Sequence, residues 1–143
     1  MGTSDPFFSI LVVSYNSAET IAAVLASLKD QSDQDFEVLI LDNASTDETI
    51  AEIETARIDR LKLEASATNL GFAEGNNRLA AKARGTWVAL LNPDAVARPD
   101  WLANVRLAIA RHPACDSFAS AQLQLRDPDT LDGAGDCYLW AGI

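Results

Sequence analysis

Basic residues are scarce in this chain. Eleven lysines and arginines stand against 21 aspartates and glutamates, a formal net charge of -10, whereas a nucleic-acid binder needs clustered cations to neutralise phosphates. The deficit excludes a polyanion-binding surface but not a pocket, because a metal ion and backbone N–H groups can supply a local positive field inside an acidic protein. Cysteine is nearly missing too. Cys115 and Cys137 are far apart, form no CxxC pair and have no histidine cluster nearby, so neither a zinc site nor a disulfide framework is indicated. The single histidine, His112, sits beside Pro113 at the end of a helical pattern, where the helix dipole accounts for it better than catalysis does. Long apolar runs are absent: the longest, around Phe7 to Val13, is far too short to span a bilayer, and no basic, apolar leader opens the chain. A cytoplasmic protein is expected, with peripheral association of the full-length protein at the inner face of a membrane left open. Two phosphate-binding signatures are also missing, GxxxxGK[ST] and GxGxxG after the first strand, which disfavours P-loop and dinucleotide folds.

What is present is organised around Trp87 to Asp94. The apolar run Trp87-Val88-Ala89-Leu90-Leu91 has no helical period and fits a strand covered on both faces. Pro93 ends it and leaves Asn92 and Asp94 at the carboxyl end, the edge of an open α/β sheet where ligands bind. Two oxygen-bearing side chains separated by one rigid residue suit a hard divalent cation or a ribose hydroxyl.

At 143 residues and 48% hydrophobic content, the chain reads as a single domain, residues 1–143, with a disordered start over 1–6. Phe7 to Val13, Phe36 to Leu41 and Leu61 to Ala65 predict three more strands, the third less buried than the first two. Between them, Ser17 is placed to cap a helix running to about Gln31, and Ser45 with Glu48 has capping-box spacing for a second helix. Ala73 to Arg84 predicts a third, with Gly85 as a left-handed residue just past its end. A fourth lies between Asp100 and His112. A fifth strand is expected over Phe118 to Leu125, followed by a turn-rich stretch over Arg126 to Asp136. The alternation implies an α/β fold with a mostly parallel sheet and helices on both faces. The apolar close, Tyr138 to Ile143, reads as the middle of a pattern, so the chain is taken for the first part of a longer protein.

Four polar clusters then fall at the carboxyl ends of four strands: Tyr15-Asn16, Asp42-Asn43, Asn69 to Asn77, and Asn92-Asp94. Each alone has an ordinary explanation as a turn or a strand terminator. Four on one rim are harder to dismiss. Trp87, Trp101 and Trp140 read as core or lid residues, and only Trp140 is given a chance of a functional role.

The segments Ile10-Leu-Val-Val-Ser-Tyr-Asn16, Leu41-Asp-Asn-Ala-Ser-Thr-Asp47, Asn69-Leu-Gly-Phe-Ala-Glu-Gly-Asn-Asn77 and Leu90-Leu-Asn-Pro-Asp94 resemble, in order and spacing, the nucleotide-sugar-binding half of family 2 inverting glycosyltransferases with the Rossmann-like GT-A fold. The rhamnosyltransferase-like branch is the nearest likeness, over about Phe8 to Leu125. The resemblance implies that Tyr15 and Asn16 line the nucleotide pocket and that Asp42 accepts a hydrogen bond from a pyrimidine N3–H. It implies that Asn69, Gly71 and Asn76 lie along the ribose and diphosphate, with Gly71 and Gly75 letting backbone approach the ligand. Asn92-Pro93-Asp94 would stand for the family's DxD motif. With Asn in the first position, the metal-ligand role, for Mg²⁺ or Mn²⁺, passes to Asp94 alone, and Asn92 would meet ribose or order a water.

The activity implied is transfer from a UDP- or dTDP-sugar, dTDP-rhamnose included, to a glycan or lipid-linked acceptor. The general base belongs to the acceptor half, which would begin over residues 126–143; no residue before Ile143 matches it, and Asp132 and Asp136 are not assigned. The rivals are a non-enzymatic α/β signalling or nucleotide-binding domain and a nucleotidyltransferase. The first gives Asn69 to Asn77 no task, and the second needs a cation that the strand-end clusters do not supply before Arg78.

Overall fold

The computed structural model describes residues 5–133. Asp136, Trp140 and residues 1–4 of the expected disordered start lie outside them. The chain divides into two compact units, Met1–Ala103 and Asn104–Ile143.

In the first unit, β1 (Phe8–Ser14), β2 (Phe36–Asp42), β3 (Leu61–Ala65) and β4 (Trp87–Leu90) form a parallel sheet in the order β3-β2-β1-β4. The connecting helices are α1 (Ile21–Lys29), α2 (Thr49–Thr55) and α3 (Phe72–Ala80), and α4 (Trp101–Arg111) follows β4. β1 and β2 are buried along their whole length, as central strands covered on both faces must be. Leu11, Val13, Leu39 and Leu41 pack with Leu79 of α3 on one face. Ile10, Val12, Val38 and Ile40 point the other way and are equally buried, as are Ile21, Val24, Leu25 and Leu28 of α1, Ile53 of α2 and Leu102. β3 is only partly buried, as its alternation of apolar and polar residues suggests.

Several local expectations are corrected. α1 starts four residues after Ser17, whose carbonyl accepts the N–H groups of Thr20 and Ile21 while its hydroxyl turns to the Tyr15 backbone. The Ser45–Glu48 capping box does not form. Asp47 takes over, accepting the N–H and hydroxyl of Thr49 at the start of α2. Among the described residues β4 is the last strand of its sheet and is not covered on both faces: Val88 and Leu90, two residues apart and so on one face, are 45% and 57% exposed.

Gly85 does not adopt the left-handed conformation. It is needed because the chain there passes against β1, where an added Cβ would lie 2.4 Å from the Ser9 nitrogen and 2.6 Å from the Phe8 carbonyl carbon. Gly75 is a milder case. Its missing Cβ faces the Val13 methyls at 2.9 and 3.0 Å, side-chain atoms that can yield, and alanine gains about 1 kcal/mol of helix propensity over glycine. Gly75→Ala is therefore expected to change stability by about 1 kcal/mol or less, checked by urea denaturation.

In the second unit, only Gln122–Gln124 of the expected fifth strand is extended, as β5. It pairs antiparallel with β6 (Asp127–Gly133), built from residues expected to be turn. A two-residue turn, Leu125-Arg126, joins them.

Candidate functional site

The carboxyl ends of β1, β2, β3 and β4 share one rim, and side-chain bonds between loops far apart in sequence fix that rim. After β1, Asn16 takes a φ of 47°, which asparagine accepts more readily than most residues. Its N–H donates to the Ser45 hydroxyl at 2.9 Å, and its Oδ1 accepts the Thr46 N–H at 2.9 Å. The Ser17 N–H donates to Thr49 Oγ1 and the Ala18 N–H to Asp47 Oδ2. The Thr49 hydroxyl, outweighing partial desolvation together with the Ala18 and Thr49 N–H groups, holds the Asp47 carboxyl below its ordinary value.

Asp42, at the end of β2, is fully buried. Its Oδ1 accepts the hydroxyls of Ser14 (3.2 Å) and Ser45 (2.5 Å), and its Oδ2 accepts the Ser45 N–H (2.9 Å). The next residue, Asn43, reaches the loop after β3: its Oδ1 accepts the Leu70 N–H at 2.8 Å and its Nδ2 donates to the Gly71 carbonyl at 3.2 Å. Asn69 Oδ1 accepts the Gly71 N–H, and Asn76 Nδ2 donates to the Phe72 carbonyl, both at 2.9 Å. Gly71, with φ 81°, turns the chain into α3, a backbone region that favours glycine. After β4, the Pro93 carbonyl accepts the Thr20 hydroxyl at 2.8 Å, tying that loop to the start of α1.

These loops enclose a cleft of about 440 Å³. Of the residues singled out in the sequence, Tyr15, Asn69, Gly71, Asn92 and Asp94 line it together. Asn16, Asp42, Gly75 and Asn76 do not: the first two brace the loops from behind, Gly75 packs on Val13, and Asn76 holds the Phe72 backbone. Asn43, Phe72, Val13 and Pro93 also line the cleft and were not singled out as site residues. Asn43 had a signal in its place directly after a strand. Phe72 had a misleading one, because helical spacing sets it on the face of Gly75, Asn76 and Leu79, all buried.

Residues 9–128 match the family model described as Glycosyl transferase family 2. The chain belongs to that family. Relatives include the succinoglycan biosynthesis protein ExoO of Rhizobium meliloti (strain 1021), 35% identical over 90% of this chain and 35% of that protein. A PGL/p-HBAD biosynthesis glycosyltransferase of Mycobacterium tuberculosis (strain ATCC 25618 / H37Rv) is 34% identical over 78% of this chain and 44% of that one. The chain thus spans between a third and a half of the length of these curated relatives. Among solved structures, S. aureus TarS 1-349 in complex with UDP-GlcNAc superposes with a TM-score of 0.70 at 30% identity, covering 74% of this chain and 32% of that one. The mannosyltransferase PcManGT from Pyrobaculum calidifontis, in complex with GDP-Man and Mn²⁺, gives 0.71 at 28% identity over 87% of this chain and 38% of that one. The fold is the GT-A form of α/β sheet.

The GT-A neighbours include a Mn²⁺ complex, and the donor set here fits such an ion. Among the described residues no group of three or more His, Cys, Asp or Glu could hold a metal by itself. Asp94 is the carboxylate lining the cleft, with the Asn92 amide in the same lining. One carboxylate, diphosphate oxygens and waters make an ordinary shell for Mg²⁺, which keeps several waters and takes few protein ligands. Among the described residues no helix is long and apolar enough to cross a membrane.

Proposed function

We propose that residues 1–143 form the donor-binding part of a glycosyltransferase that moves a sugar from a nucleotide-diphosphate sugar to a glycan or lipid-linked acceptor, with inversion at the anomeric carbon. The observation that carries this reading is the convergence of loops from all four parallel strands on one cleft lined by Tyr15, Asn43, Asn69, Gly71, Asn92 and Asp94. In the reaction the acceptor oxygen bonds to the anomeric carbon as the bond to the nucleoside diphosphate breaks, and the acceptor proton passes to a general base. That base is assigned to the acceptor side, which we place from about residue 126 onward and beyond Ile143.

Asp94 would hold the divalent ion, and Asn92 would meet ribose or order a water. When bound, the ion supplies electrostatic stabilisation of the departing diphosphate. Tyr15, 51% exposed, offers a ring face to the base. Asn69 has its Oδ1 occupied by the Gly71 N–H, which leaves its amide N–H₂ for the ligand. Asn16, Gly75 and Asn76 would act from behind, by fixing the loops and the seat of α3. Asp42 would accept the N3–H of uracil or thymine at Oδ2, which among the described residues accepts only the Ser45 N–H; because Asp42 is fully buried, the rim must open slightly to admit the base edge. The finer assignment, to the rhamnosyltransferase-like branch with dTDP-rhamnose as donor, is supported by the four motifs. A glycan or lipid acceptor is supported by the succinoglycan and PGL/p-HBAD relatives. The place of action would be the cytoplasmic side of a membrane, where such acceptors are built.

Titration of the chain with UDP and TDP, with and without Mn²⁺ or Mg²⁺, tests the reading. Binding that tightens when the metal is added is expected. A folded sample that binds neither nucleotide in a metal-dependent way overturns it.

A further inference from the structure

We infer that Phe72 is an aromatic wall of the donor site, its ring packed on the flat face of a pyrimidine base; the inference rests on the donor-site reading above. Helical spacing puts Phe72 in register with Gly75, Asn76 and Leu79, the buried stripe of α3. A phenyl ring on that stripe belongs in the core. It is instead 54% exposed and lines the cleft.

This exposure is held in place. Asn43 Nδ2 donates to the Gly71 carbonyl, Asn69 Oδ1 accepts the Gly71 N–H, and Asn76 Nδ2 donates to the Phe72 carbonyl. Three amide side chains thus fix the backbone of two consecutive residues, at the point where the positive φ of Gly71 launches the helix. A ring on a pre-set backbone meets a ligand with the backbone share of the ordering cost already met, leaving only its own side-chain torsions to fix.

The chemistry of the cleft says which part of the ligand the ring meets. Asn43, which anchors the Gly71–Phe72 corner, directly follows β2, whereas Asn92 and Asp94 follow β4, and β1 lies between those strands. Two strand spacings separate the ends, roughly 10 Å. A diphosphate and its metal belong at the carboxylate end. From there the nucleoside runs across the end of β1, past Val13, so its base comes to Tyr15 and, on the β2 side, to Phe72. The phenyl ring has no donor or acceptor. It therefore adds stacking and excludes water, without distinguishing uracil from thymine.

The test compares Phe72→Ala and Phe72→Tyr with the unaltered chain by titration with uridine, UDP and inorganic pyrophosphate, each with Mn²⁺, alongside thermal melting. Phe72→Ala is expected to weaken uridine and UDP alike, by about tenfold or more, with pyrophosphate binding and melting unchanged; Phe72→Tyr should keep the affinity. UDP affinity unchanged in a folded Phe72→Ala variant, while the unaltered chain binds UDP, overturns the role of Phe72 and leaves the donor-site reading standing. Equal loss for pyrophosphate and UDP also overturns it, since the ring would then act through the loop and not the base. An unaltered chain that binds no UDP removes both readings.

Discussion

Glu37→Ala is expected to cost about 3 kcal/mol of folding stability, seen as a lower urea midpoint at an unchanged slope. Glu37 is the second residue of β2, and its side chain is 0% exposed. Its Oε1 accepts the Ser9 hydroxyl and the Arg84 N–H, both at 2.9 Å, while its Oε2 accepts Nη2 of Arg84 at 2.9 Å and lies 3.6 Å from Lys62 Nζ. Ser9 in turn accepts the Gly85 N–H at 2.8 Å. One carboxylate therefore joins β1, β2 and the chain entering β4, at the end of the sheet away from the cleft. Removing it strands a buried hydroxyl and an N–H, each at about 1–3 kcal/mol. The guanidinium is half-exposed and can turn to water, which keeps the total near the low end for a broken buried ion pair.

The same carboxylate gives the fold an acid sensitivity of known sign. Burial alone would raise the Glu37 pKa, but the Arg84 N–H and guanidinium and the Ser9 hydroxyl outweigh it and hold it below its ordinary value of 4.5. A carboxyl depressed in the folded state contributes stability that is complete above its unfolded pKa and is lost as pH falls through the folded one. The stability gap between the protein and Glu37→Gln should therefore be widest near neutrality, narrow as pH falls below the ordinary value of 4.5, and close only once the depressed folded value is passed. A gap that widens on acidification would contradict the depressed value.

How far this could be read from the sequence depends on the range of each interaction. Apolar runs ending in polar residues placed β1, β2 and β4, because a strand's boundary is written in its own residues. The run Trp87 to Leu91 could not announce that one face of its strand would stand open among the described residues, since that depends on what packs over the sheet there. Ser45 and Glu48 have the spacing of a capping box, yet Ser45 is drawn to Asp42 and Asn16, and Asp47 to Ala18 across 29 residues of sequence. Local spacing contains no trace of the partners 29 residues away, Asn16 for Ser45 and Ala18 for Asp47. Gly85 shows the same limit: a glycine past a helix suggests a left-handed cap, whereas the cause here is the backbone of Ser9, 76 residues away. The rim clusters were legible because topology alone carries strand ends to one edge. Which members face the cleft and which brace it is decided by bonds between loops.

Asp94→Ala is expected to abolish the metal-dependent part of nucleotide-diphosphate binding, a loss of about a hundredfold or more in the presence of Mn²⁺, with the fold unchanged. Asp94 is exposed at the lip of the cleft, so its truncation should shift stability by no more than about 0.5 kcal/mol. Its effect on the ligand is larger because the proposed shell contains a single protein carboxylate. Mutating even a residue that only orients a metal ligand costs about 10–100-fold in affinity, and here the ligand itself would be removed. Uridine, which carries no diphosphate, should bind the variant and the unaltered protein equally, separating loss of the metal from loss of the pocket. Isothermal titration with UDP and with uridine, each with and without Mn²⁺, reads both terms. If metal still tightens UDP binding in Asp94→Ala to the same degree, the ion is held elsewhere, and the assignment of Asn92-Pro93-Asp94 as its seat fails even though the cleft remains.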